Sequence, residues 1–358
     1  MRDFWKYFDK LSFVTLLFLN ILGVVLIYSA SHTMPQSYHT KQLLWLVFAM
    51  IAFFVVFRIK TEFFFNMSTA MYVVVVVILL VQYVSGSIIA GTKSWVRFGF
   101  FSAQFSEFAK IVLALVFARR LAKIEFVDWK TFLGLLFWFG VPFVLIAAQP
   151  DMGTAFVLTS VMIMTLFLKR FAKSILIFAL IFAIAGSYVT WNYVLKPYQK
   201  DRIISFLNPE KYRHSTGYQI IQSKIAIGSG GLEGKGYLKG SQSQYKFLPT
   251  RHTDFIVSVL GEEFGFLGLS LLFILFFTLF YRQFSFKSRT DEEFYFVYLF
   301  NGVIIFQFLI NILMSIGLIP ILGLPLPFVS YGGSSLLAFY IGEGLIFRIK
   351  FNNYLYET

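Results

Sequence analysis

Long stretches without a charged residue recur along this chain, and they constrain its fold more than any other feature. Leu11–Ala30 is such a stretch of 20 residues, Ser174–Leu195 is one of 22, and Phe294–Gly342 is one of 49. A helix needs about 20 apolar residues to cross the hydrocarbon core of a bilayer. The first two stretches therefore predict one membrane-spanning helix each, whereas the third is too long for a single helix.

The composition excludes most other classes of protein. Hydrophobic residues make up 58% of the 358 residues and charged residues 14%, against about 25% charged residues in an ordinary soluble domain. A soluble enzyme could not bury this much apolar surface, and a disordered or fibrous chain would not contain it. The strands of a membrane β-barrel alternate in polarity and are far less hydrophobic. The predicted fold class is an all-α polytopic membrane protein.

We predict about ten transmembrane helices, with a large extracytoplasmic loop between the seventh and the eighth. Pro320, Pro325 and Pro327 divide the 49-residue stretch into a ninth span, an irregular segment and a tenth span, because proline breaks helices. All spans belong to one membrane domain, residues 1–358. The predicted spans are residues 11–30, 42–57, 65–86, 103–119, 131–149, 152–168, 174–195, 260–281, 294–318 and 334–348, and the loop, called the outer cap below, is residues 196–253.

The distribution of basic residues predicts the orientation. With the N-terminus inside, the inner segments carry 17 Lys and Arg residues, and the short outer segments carry 3. Because cytoplasmic loops are enriched in Lys and Arg, we expect both termini to be cytoplasmic and the first span to be a retained signal-anchor. The net charge of +13 then indicates contact with anionic lipid headgroups, and no nucleic-acid partner is expected. The chain has no Cys, which excludes disulfides and thiol catalysis.

The outer cap differs from the other loops in length and charge. It has 58 residues with ten Lys or Arg and three acids, a net charge of +7, and Gly217–Gly240 contains seven glycines. Regularly placed isoleucines predict an amphipathic helix in it that packs onto the bundle. A basic, glycine-rich cap suits an anionic ligand such as a phosphate. A solvated extracellular loop is the alternative, and these features leave both open.

Two motifs in and around the outer cap do not predict a site. Gly228–Gly236 resembles a phosphate-binding loop, but Gly236 follows Lys235 where a Walker motif needs Ser or Thr. The four histidines have no metal-ligand spacing, so a zinc site is not predicted.

Glu107 and Lys110 are ionisable residues inside the fourth span. They are three residues apart and so share a helix face. Charged side chains in a membrane usually face each other or a polar cavity. The pair therefore either fixes the bundle as a salt bridge or lines a substrate cavity.

Asp254 lies where the outer cap meets the eighth span, beside Arg251 and His252. A partly shielded carboxylate at the membrane surface suits a general base. The alternative is a helix N-cap, a position that Asp favours. Glu262 and Glu263 follow about two turns later and either line the same opening or lie at the water boundary.

The segment Gly323–Ser335 is rich in Pro, Gly and Ser. Non-helical backbone at membrane depth is tolerated only when it is buried in protein or lines a cavity. The segment therefore predicts a cavity wall or a re-entrant turn, to which Ser330, Ser334 and Ser335 contribute hydroxyl groups.

Several long strings in this sequence resemble the SEDS family, the shape, elongation, division and sporulation proteins. The resemblance covers nearly the whole chain, and Phe247–Phe255 with Gly234–Gly236 is more similar to the elongation branch, the rod-shape-determining proteins. Thr92, Phe105 and Thr250 depart from residues that are usual in the family. The strings are Trp95–Lys110, Gln149–Thr154, Gly217–Gly231, His252–Phe255, Glu262–Glu263 and Gly323–Ser335.

The resemblance implies a peptidoglycan glycosyltransferase of the bacterial cytoplasmic (inner) membrane. Such an enzyme polymerises lipid II into glycan strands at the outer face during cell elongation, with inversion at the donor anomeric carbon. The implied partners are a class B penicillin-binding protein, which is a transpeptidase, and other membrane proteins of the elongation complex. A lipid II flippase and a non-catalytic scaffold for the transpeptidase are the alternatives. The sequence places its unusual residues near the outer side, which favours the enzyme.

The resemblance also implies the roles of individual residues. Asp254 is the expected catalytic base. Lys110, Arg97, Arg202 and Lys224 are expected to hold the pyrophosphate, with Mg²⁺ or Mn²⁺ as a candidate divalent cation and no organic cofactor. The complete set of expected substrate-binding residues is Trp95, Arg97, Gln104, Ser106, Glu107, Lys110, Arg202, Lys224, His252, Ser330 and Ser334.

Overall fold

The structure is a computed structural model that describes residues 6–89, 92–98, 101–213 and 216–356. Within these ranges most of the chain is helical. The helices are α1 Lys10–Ser31, α2 Tyr38–Arg58, α3 Thr61–Ser85, α4 Ser106–Leu121, α5 Trp129–Ala148, α6 Met152–Leu168, α7 Lys173–Val189, α8 Pro197–Leu207, α9 Thr216–Ser229, α10 Ser241–Gln244, α11 Ile256–Phe284, α12 Asp291–Ser315 and α13 Gly333–Tyr356, and a π-helical turn, Thr190–Val194, continues α7.

The long helices agree with the predicted spans. Each predicted boundary lies within four residues of a helix end, except that α13 continues to Tyr356. In the described part of the chain, seven helices are long and apolar enough to cross a membrane: α1, α2, α3, α5, α7 with its π-helical turn, α11 and α12. The chain is therefore a multi-pass membrane protein, and the count of ten spans stays a prediction.

Contacts between connecting segments fall on two opposite faces of the bundle. Gln104, which precedes α4, bonds Asp151, which precedes α6, and Arg251 of the cap bonds the end of α1. At the other ends of the helices, Thr61 bonds Glu293. The chain therefore passes between these two sets of contacts, and the predicted topology stays a prediction.

A buried acid ties together the N-terminus, α11 and α13 on the second face. Asp9 caps α1 by accepting a hydrogen bond from the Ser12 amide at 3.3 Å. Its carboxylate also pairs with Arg282 at 2.9 Å and with Lys350. Because Asp9 and Lys350 are both buried, the pair links the first and last helices in a place where loss of one partner would be costly.

Two small sheets, which the sequence did not predict, join some of the helices. Strands β1 (Ser87–Ile89), β2 (Thr92–Phe98) and β3 (Phe101–Ala103) form an antiparallel sheet between α3 and α4. Strands β4 (Phe126–Val127) and β5 (Arg170–Phe171) pair in parallel on the second face.

The outer cap is folded onto the bundle through α9, which corresponds to the predicted amphipathic helix. Ile220 and Ala226 of α9 are buried, and Ile225 is exposed. Between them, the buried Ser223 lies 2.6 Å from Ser258 of α11 and donates to the Ser315 carbonyl at 2.5 Å. The cap is therefore packed on α11 and α12.

Helix α11 is interrupted at Gly265, where φ is +60°. The cap segment 231–236 replaces the missing helical hydrogen bonds. The Lys235 amide donates to the Glu262 carbonyl at 2.9 Å, and the Phe266 amide donates to the Gly231 carbonyl at 2.9 Å. The kink is therefore held by backbone bonds to the cap, as bilayer-adjacent backbone requires.

Helix α7 stands apart from the other long helices. Ile175 is its one buried residue among those described, and Leu180, Phe182 and Ile184 are each more than half exposed. In a membrane protein such an apolar face contacts lipid, so α7 borders the bundle on its lipid side.

We predict that Gly230→Ala destabilises the protein because it forces the cap away from α11. A Cβ at Gly230 would overlap the Gly261 carbonyl oxygen, whereas a Cβ at Gly228 would meet nothing within 4 Å. Overpacking of this kind costs about 1–3 kcal/mol. Thermal denaturation in detergent should show a lower melting temperature for Gly230→Ala than for the wild-type protein, and no decrease for the matched Gly228→Ala. Equal melting temperatures of the two variants would contradict the packing of the cap.

Candidate active site

Asp254 lies in the turn 250–255, between the outer cap and α11. Its amide donates to the Thr250 carbonyl at 3.1 Å, and the buried Phe255 follows it. The carboxylate is half-buried, and its Oδ2 lies 3.8 Å from the place where a Cβ on Gly323 would be. The N-cap position of α11 is occupied by Phe255, which has no side-chain acceptor. The alternative that Asp254 caps the eighth span is therefore wrong.

Neighbouring elements hold this turn from two other sides. Arg251 Nε donates to the Ala30 carbonyl at 2.5 Å, where its cation also meets the negative end of the α1 dipole. Ser330 Oγ donates to the Thr253 carbonyl at 2.5 Å, and the Tyr331 amide donates to the His252 carbonyl at 3.0 Å. Arg251 therefore has a binding partner in α1, although Thr250 replaces the acid usual beside it.

The surroundings of Asp254 suit a base. Burial raises the pKa of Asp254 to about 6, while a hydrogen bond with Thr253 and the charge of Arg202 act in the opposite direction. The carboxylate is therefore ionised at neutral pH but is more basic than an exposed one. A pKa close to the working pH is the property that general bases need.

His252 belongs to an aromatic cluster beside Asp254. Its ring centroid lies 4.3 Å from that of Tyr38 and 5.9 Å from that of Tyr331. Burial, with the charge of Arg251, lowers the pKa of His252 to about 4. The imidazole is therefore neutral at pH 7, and any contact it makes with an anion is a hydrogen bond without a charge.

Arg202 and Lys224 approach the site from α8 and α9. Arg202 Nη1 donates to the Ile321 carbonyl at 3.3 Å, and its charge acts on Asp254. Lys224 is exposed, and its Nζ lies 3.0 Å from the Cβ position of Gly317. Both cations thus contact the segment 316–323, which ends beside the Asp254 carboxylate.

Glu107 and Lys110 form the predicted pair. Lys110 Nζ lies 2.6 Å from Glu107 Oε2, donates to Gln307 Oε1 at 2.8 Å, and sits 4.9 Å from the ring centroid of Phe339. The exposed fraction is 1% for Lys110 and 3% for Glu107. The salt bridge is confirmed, and its burial supports the bundle-fixing alternative. A contact of either residue with substrate stays a prediction.

Gln104 and Ser106 bond Asp151, and Gln104 also bonds Ser334. Gln104 Nε2 and Ser106 Oγ donate to Asp151 Oδ2 at 2.6 and 3.2 Å. The backbone N–H of Gln104 donates to Ser334 Oγ at 3.0 Å. Asp151 also caps α6 through the Thr154 amide. Burial raises the pKa of Asp151 in spite of these bonds. The predicted residues therefore form a polar joint between α4, α6 and α13.

Strand β2 carries two further predicted residues. Trp95 is half-buried and pairs with Ser87 in the sheet. The backbone of Arg97 pairs with that of Ser102, but its side chain lies outside the described part of the chain. Ser330, by contrast, is described, and its hydroxyl is engaged with backbone, as an acceptor from the Leu326 amide and a donor to Thr253.

Residues that sequence reasoning missed complete the site. Gln307 and Asn311 of α12 bond the carbonyls of Pro325 and Leu324 at 2.9 and 2.7 Å, and Gln42 of α2 bonds the Ser330 carbonyl at 3.2 Å. A signal was available: amides four residues apart in an uncharged apolar helix share one face. Asp151 could have been found by its N-cap position before α6.

The residues around Asp254 do not form a ready metal cage. In the described ranges, no three His, Asp or Glu side chains lie together, but Mg²⁺ usually takes only one or two carboxylates from a protein and its other ligands from water and substrate phosphates. A divalent cation therefore stays a prediction, and the mechanism below assigns no step to it.

The fold and site together define a polytopic helical membrane protein that carries a carboxylate of raised pKa among basic side chains on its outer-cap face. Comparison with known proteins then assigns the family. The sequence model of the FtsW/RodA/SpoVE family of cell cycle proteins matches residues 9–355. The chain belongs to this family, as the resemblance to the SEDS proteins predicted.

Relatives of similar length bear enzyme names. The chain is 33% identical to the peptidoglycan glycosyltransferase MrdB of Escherichia coli K12, with 97% of this chain and 95% of the relative covered. It is 33% identical to the peptidoglycan glycosyltransferase RodA of Treponema pallidum, over 96% and 97%. It is 34% identical to the probable peptidoglycan glycosyltransferase FtsW of Coxiella burnetii, over 97% of each.

Solved structures share the fold. A chain from a structure titled as a peptidoglycan synthase complex that coordinates polymerization and crosslinking is 28% identical, with a TM-score of 0.83 over 97% of this chain and 98% of that one. RodA of Thermus thermophilus, a rod shape determining protein, is 26% identical, with a TM-score of 0.72 over 98% and 99%.

We predict that Glu107 and Lys110 are energetically coupled. Glu107→Gln or Lys110→Met alone leaves a buried charge without its partner, which costs about 3–5 kcal/mol. The double variant should lose less stability than the sum of the two single variants, measured as a double-mutant cycle of detergent unfolding. Additive losses would show that the 2.6 Å contact carries no coupling.

Proposed function

We propose that this protein is a peptidoglycan glycosyltransferase that polymerises lipid II at the outer face of the bacterial cytoplasmic membrane during cell elongation. The observation that carries the proposal is Asp254, a half-buried carboxylate beside Gly323 whose pKa burial raises to about 6 and on which the charge of Arg202 acts. It lies in a chain whose relatives are named as peptidoglycan glycosyltransferases. Further support comes from the likeness to a chain of a peptidoglycan synthase complex.

The proposed base is Asp254. A sugar hydroxyl is a poor nucleophile at neutral pH, so a base must take its proton as the oxygen attacks the donor anomeric carbon. Asp254 accepts the proton, the new glycosidic bond forms, and the bond from the anomeric carbon to the pyrophosphate breaks. The pyrophosphate leaves with the electron pair. A single displacement of this kind inverts the donor carbon and converts an α-linked donor into a β-linked glycan.

The leaving group needs positive charge more than it needs a proton. A polyprenyl pyrophosphate is already a good leaving group at neutral pH, so one carboxylate suffices here, unlike the pair usual in glycoside hydrolases. Arg202 and Lys224 both contact the segment beside Asp254 and would bind its oxygens through charge-assisted hydrogen bonds. Arg97 and Lys110 were predicted for the same task, and the burial of Lys110 makes it the weaker candidate.

The other predicted substrate-binding residues differ in their position and in how far protein contacts occupy them. His252 adjoins Asp254 and offers a neutral ring to an acceptor sugar. Trp95 is half-buried in β2. The remaining residues are occupied in protein contacts, and we propose that they shape the wall of the site: Gln104, Ser106, Glu107, Ser330 and Ser334.

The location of the site gives the proposed topology. The cap, Asp254 and the sheet β1–β3 share the face opposite Asp9, Arg282 and Lys350. Because inner segments are enriched in Lys and Arg, we place the cap outside, with ten spans and both termini in the cytoplasm. This orientation brings Asp254 to the side where a class B penicillin-binding protein, the proposed partner, and other elongation-complex proteins would use the glycan.

A lipid II flippase is less well supported. A transporter needs a polar route open in turn to both faces. The charged residues in the fourth span, Glu107 and Lys110, are paired to each other and buried, so they line no open route. A scaffold that only recruits the transpeptidase would have no use for a carboxylate of raised pKa.

We predict that Asp254→Asn abolishes polymerisation of lipid II while insertion and folding persist. Asn keeps the size of the side chain but cannot accept the proton, and loss of a general base costs about 100- to 10,000-fold in rate. The matched control is Glu233→Gln, which neutralises an exposed acid in the cap and should leave the rate unchanged. Near-wild-type synthesis by Asp254→Asn would remove the base assignment.

The rate should also depend on pH in one direction. As pH falls through about 6, Asp254 becomes protonated, so kcat/KM should fall by about tenfold per pH unit below that value and stay level above it. The profile is measured with lipid II and the wild-type protein. A profile that rises toward low pH would contradict a basic carboxylate.

We predict that the cap faces the outside of the cell. Because the chain has no Cys, a single introduced Cys reports its own position. Tyr245→Cys, at a side chain that is 73% exposed, should react with an impermeant thiol reagent in intact cells, and Lys287→Cys, between α11 and α12, should react only after permeabilisation. The reverse pattern would invert the topology.

A further inference from the structure

Helix α12 carries a stripe of amide and hydroxyl side chains on one buried face. Gln307, Asn311 and Ser315 are spaced four residues apart, and each has an exposed fraction of 0%. Residues at this spacing lie one above another on a helix. Each of the three side chains makes a hydrogen bond to a backbone carbonyl. The stripe is therefore a polar contact surface on a helix that is otherwise apolar.

Asn311 bonds both walls of the proposed site with one amide group. Its Nδ2 donates to the Asp254 carbonyl at 2.9 Å and to the Leu324 carbonyl at 2.7 Å. The first carbonyl belongs to the residue that carries the proposed base. The second follows Gly323, whose Cα faces the Asp254 carboxylate. The two N–H groups of one side chain thus join the two segments between which the carboxylate lies.

We propose that Asn311 is a positioning residue for the glycosyl transfer: its amide clamps the turn 250–255 to the segment 323–325 and so fixes the Asp254 carboxylate toward its substrates. The proposal rests on the function proposed above. Asn311 bonds the backbone of the turn, and the proposal gives it no contact with the sugar or the pyrophosphate. Its effect on the reaction passes through Asp254.

The environment of Asn311 supports a positioning role. Its Nδ2 bonds two carbonyls that lie outside its own helix, those of Asp254 and Leu324. Gln307 lies one turn earlier, and its Nε2 donates to the next carbonyl, that of Pro325. Its Oε1 accepts a hydrogen bond from Lys110 Nζ. Adjacent amides therefore hold adjacent carbonyls of an irregular segment, an arrangement that fixes backbone in place.

A matched control lies on the same helix. Asn301 is also buried, and its Nδ2 donates only to the Val297 carbonyl of its own helix, with an Oδ1 that, like that of Asn311, has no partner in the described ranges. Asn311→Leu and Asn301→Leu therefore remove the same chemical group from the same helix at equal burial. They differ in whether the turn of Asp254 loses a bond.

The experiment compares both variants with the wild-type protein in detergent. It measures melting temperature, kcat and KM for lipid II, the pH profile of kcat/KM, and amide hydrogen exchange of residues 250–256 and 322–326. Both variants keep the titratable and charged groups that face Asp254. These are Arg202, which acts on it from α8, and the neighbours Arg251 and His252. If Asn311→Leu does not fold, Asn311→Ser and Asn301→Ser are measured in the same way.

The clamp predicts effects that loss of stability alone would not produce. Both variants should lower the melting temperature, but only Asn311→Leu should lower kcat, on the order of 100-fold for a misplaced base, with little change in KM. Its acid limb should move to lower pH as the loosened carboxylate gains water. Exchange in both segments should become faster in Asn311→Leu and stay unchanged in Asn301→Leu.

Other outcomes overturn the proposal. Equal losses of kcat in the two variants, an unmoved acid limb, or unchanged exchange in Asn311→Leu would each show that Asn311 is an ordinary buried amide. If the wild-type protein itself makes no glycan, the proposed function fails, and the exchange measurement alone then decides whether the clamp exists.

Discussion

The structure depends on how the non-helical backbone between α12 and α13 obtains its hydrogen bonds. Carbonyls near a bilayer that have no helical partner must be satisfied within the protein. Gln307 and Asn311 of α12 satisfy those of Pro325 and Leu324, and Ser330 satisfies the Leu326 amide. Because the segment is held by side chains, it can keep an irregular shape, with φ of +71° at Gly323 where the backbone meets Asp254.

The charged residues have two kinds of role: some form buried ion pairs that fix the helices, and others lie around the proposed catalytic base. The buried pair of Asp9 with Lys350 joins the first and last helices. The buried pair of Glu107 with Lys110 lies within α4, and Lys110 also bonds Gln307 of α12. Buried pairs of this kind set geometry more than they add stability. Of the cations near Asp254, Arg251 is buried, whereas Arg202 is half-buried and Lys224 is exposed. Lys224 is thus accessible to an anionic ligand, and Arg202 keeps part of its guanidinium accessible while one N–H group bonds the Ile321 carbonyl.

The sequence predicted what depends on local spacing. Helix bounds follow from apolar length, and the Glu107–Lys110 salt bridge follows from a separation of three residues. It could not predict which uncharged polar residues meet across the bundle, because Asn311 and Asp254 are 57 residues apart and hydropathy does not encode their contact. The same limit hid the role of Asp151, and it left open whether Asp254 capped a helix until Phe255 was found at that position.

The central claim is that this chain itself forms glycosidic bonds. The most direct test is the incubation of the purified protein with lipid II in vesicles, with and without a class B penicillin-binding protein, while glycan length and movement of lipid II across the bilayer are both recorded. The account predicts β-linked glycan strands that require this chain in both reactions. Movement of lipid II without any polymer, or polymer that forms only from the partner, would contradict it.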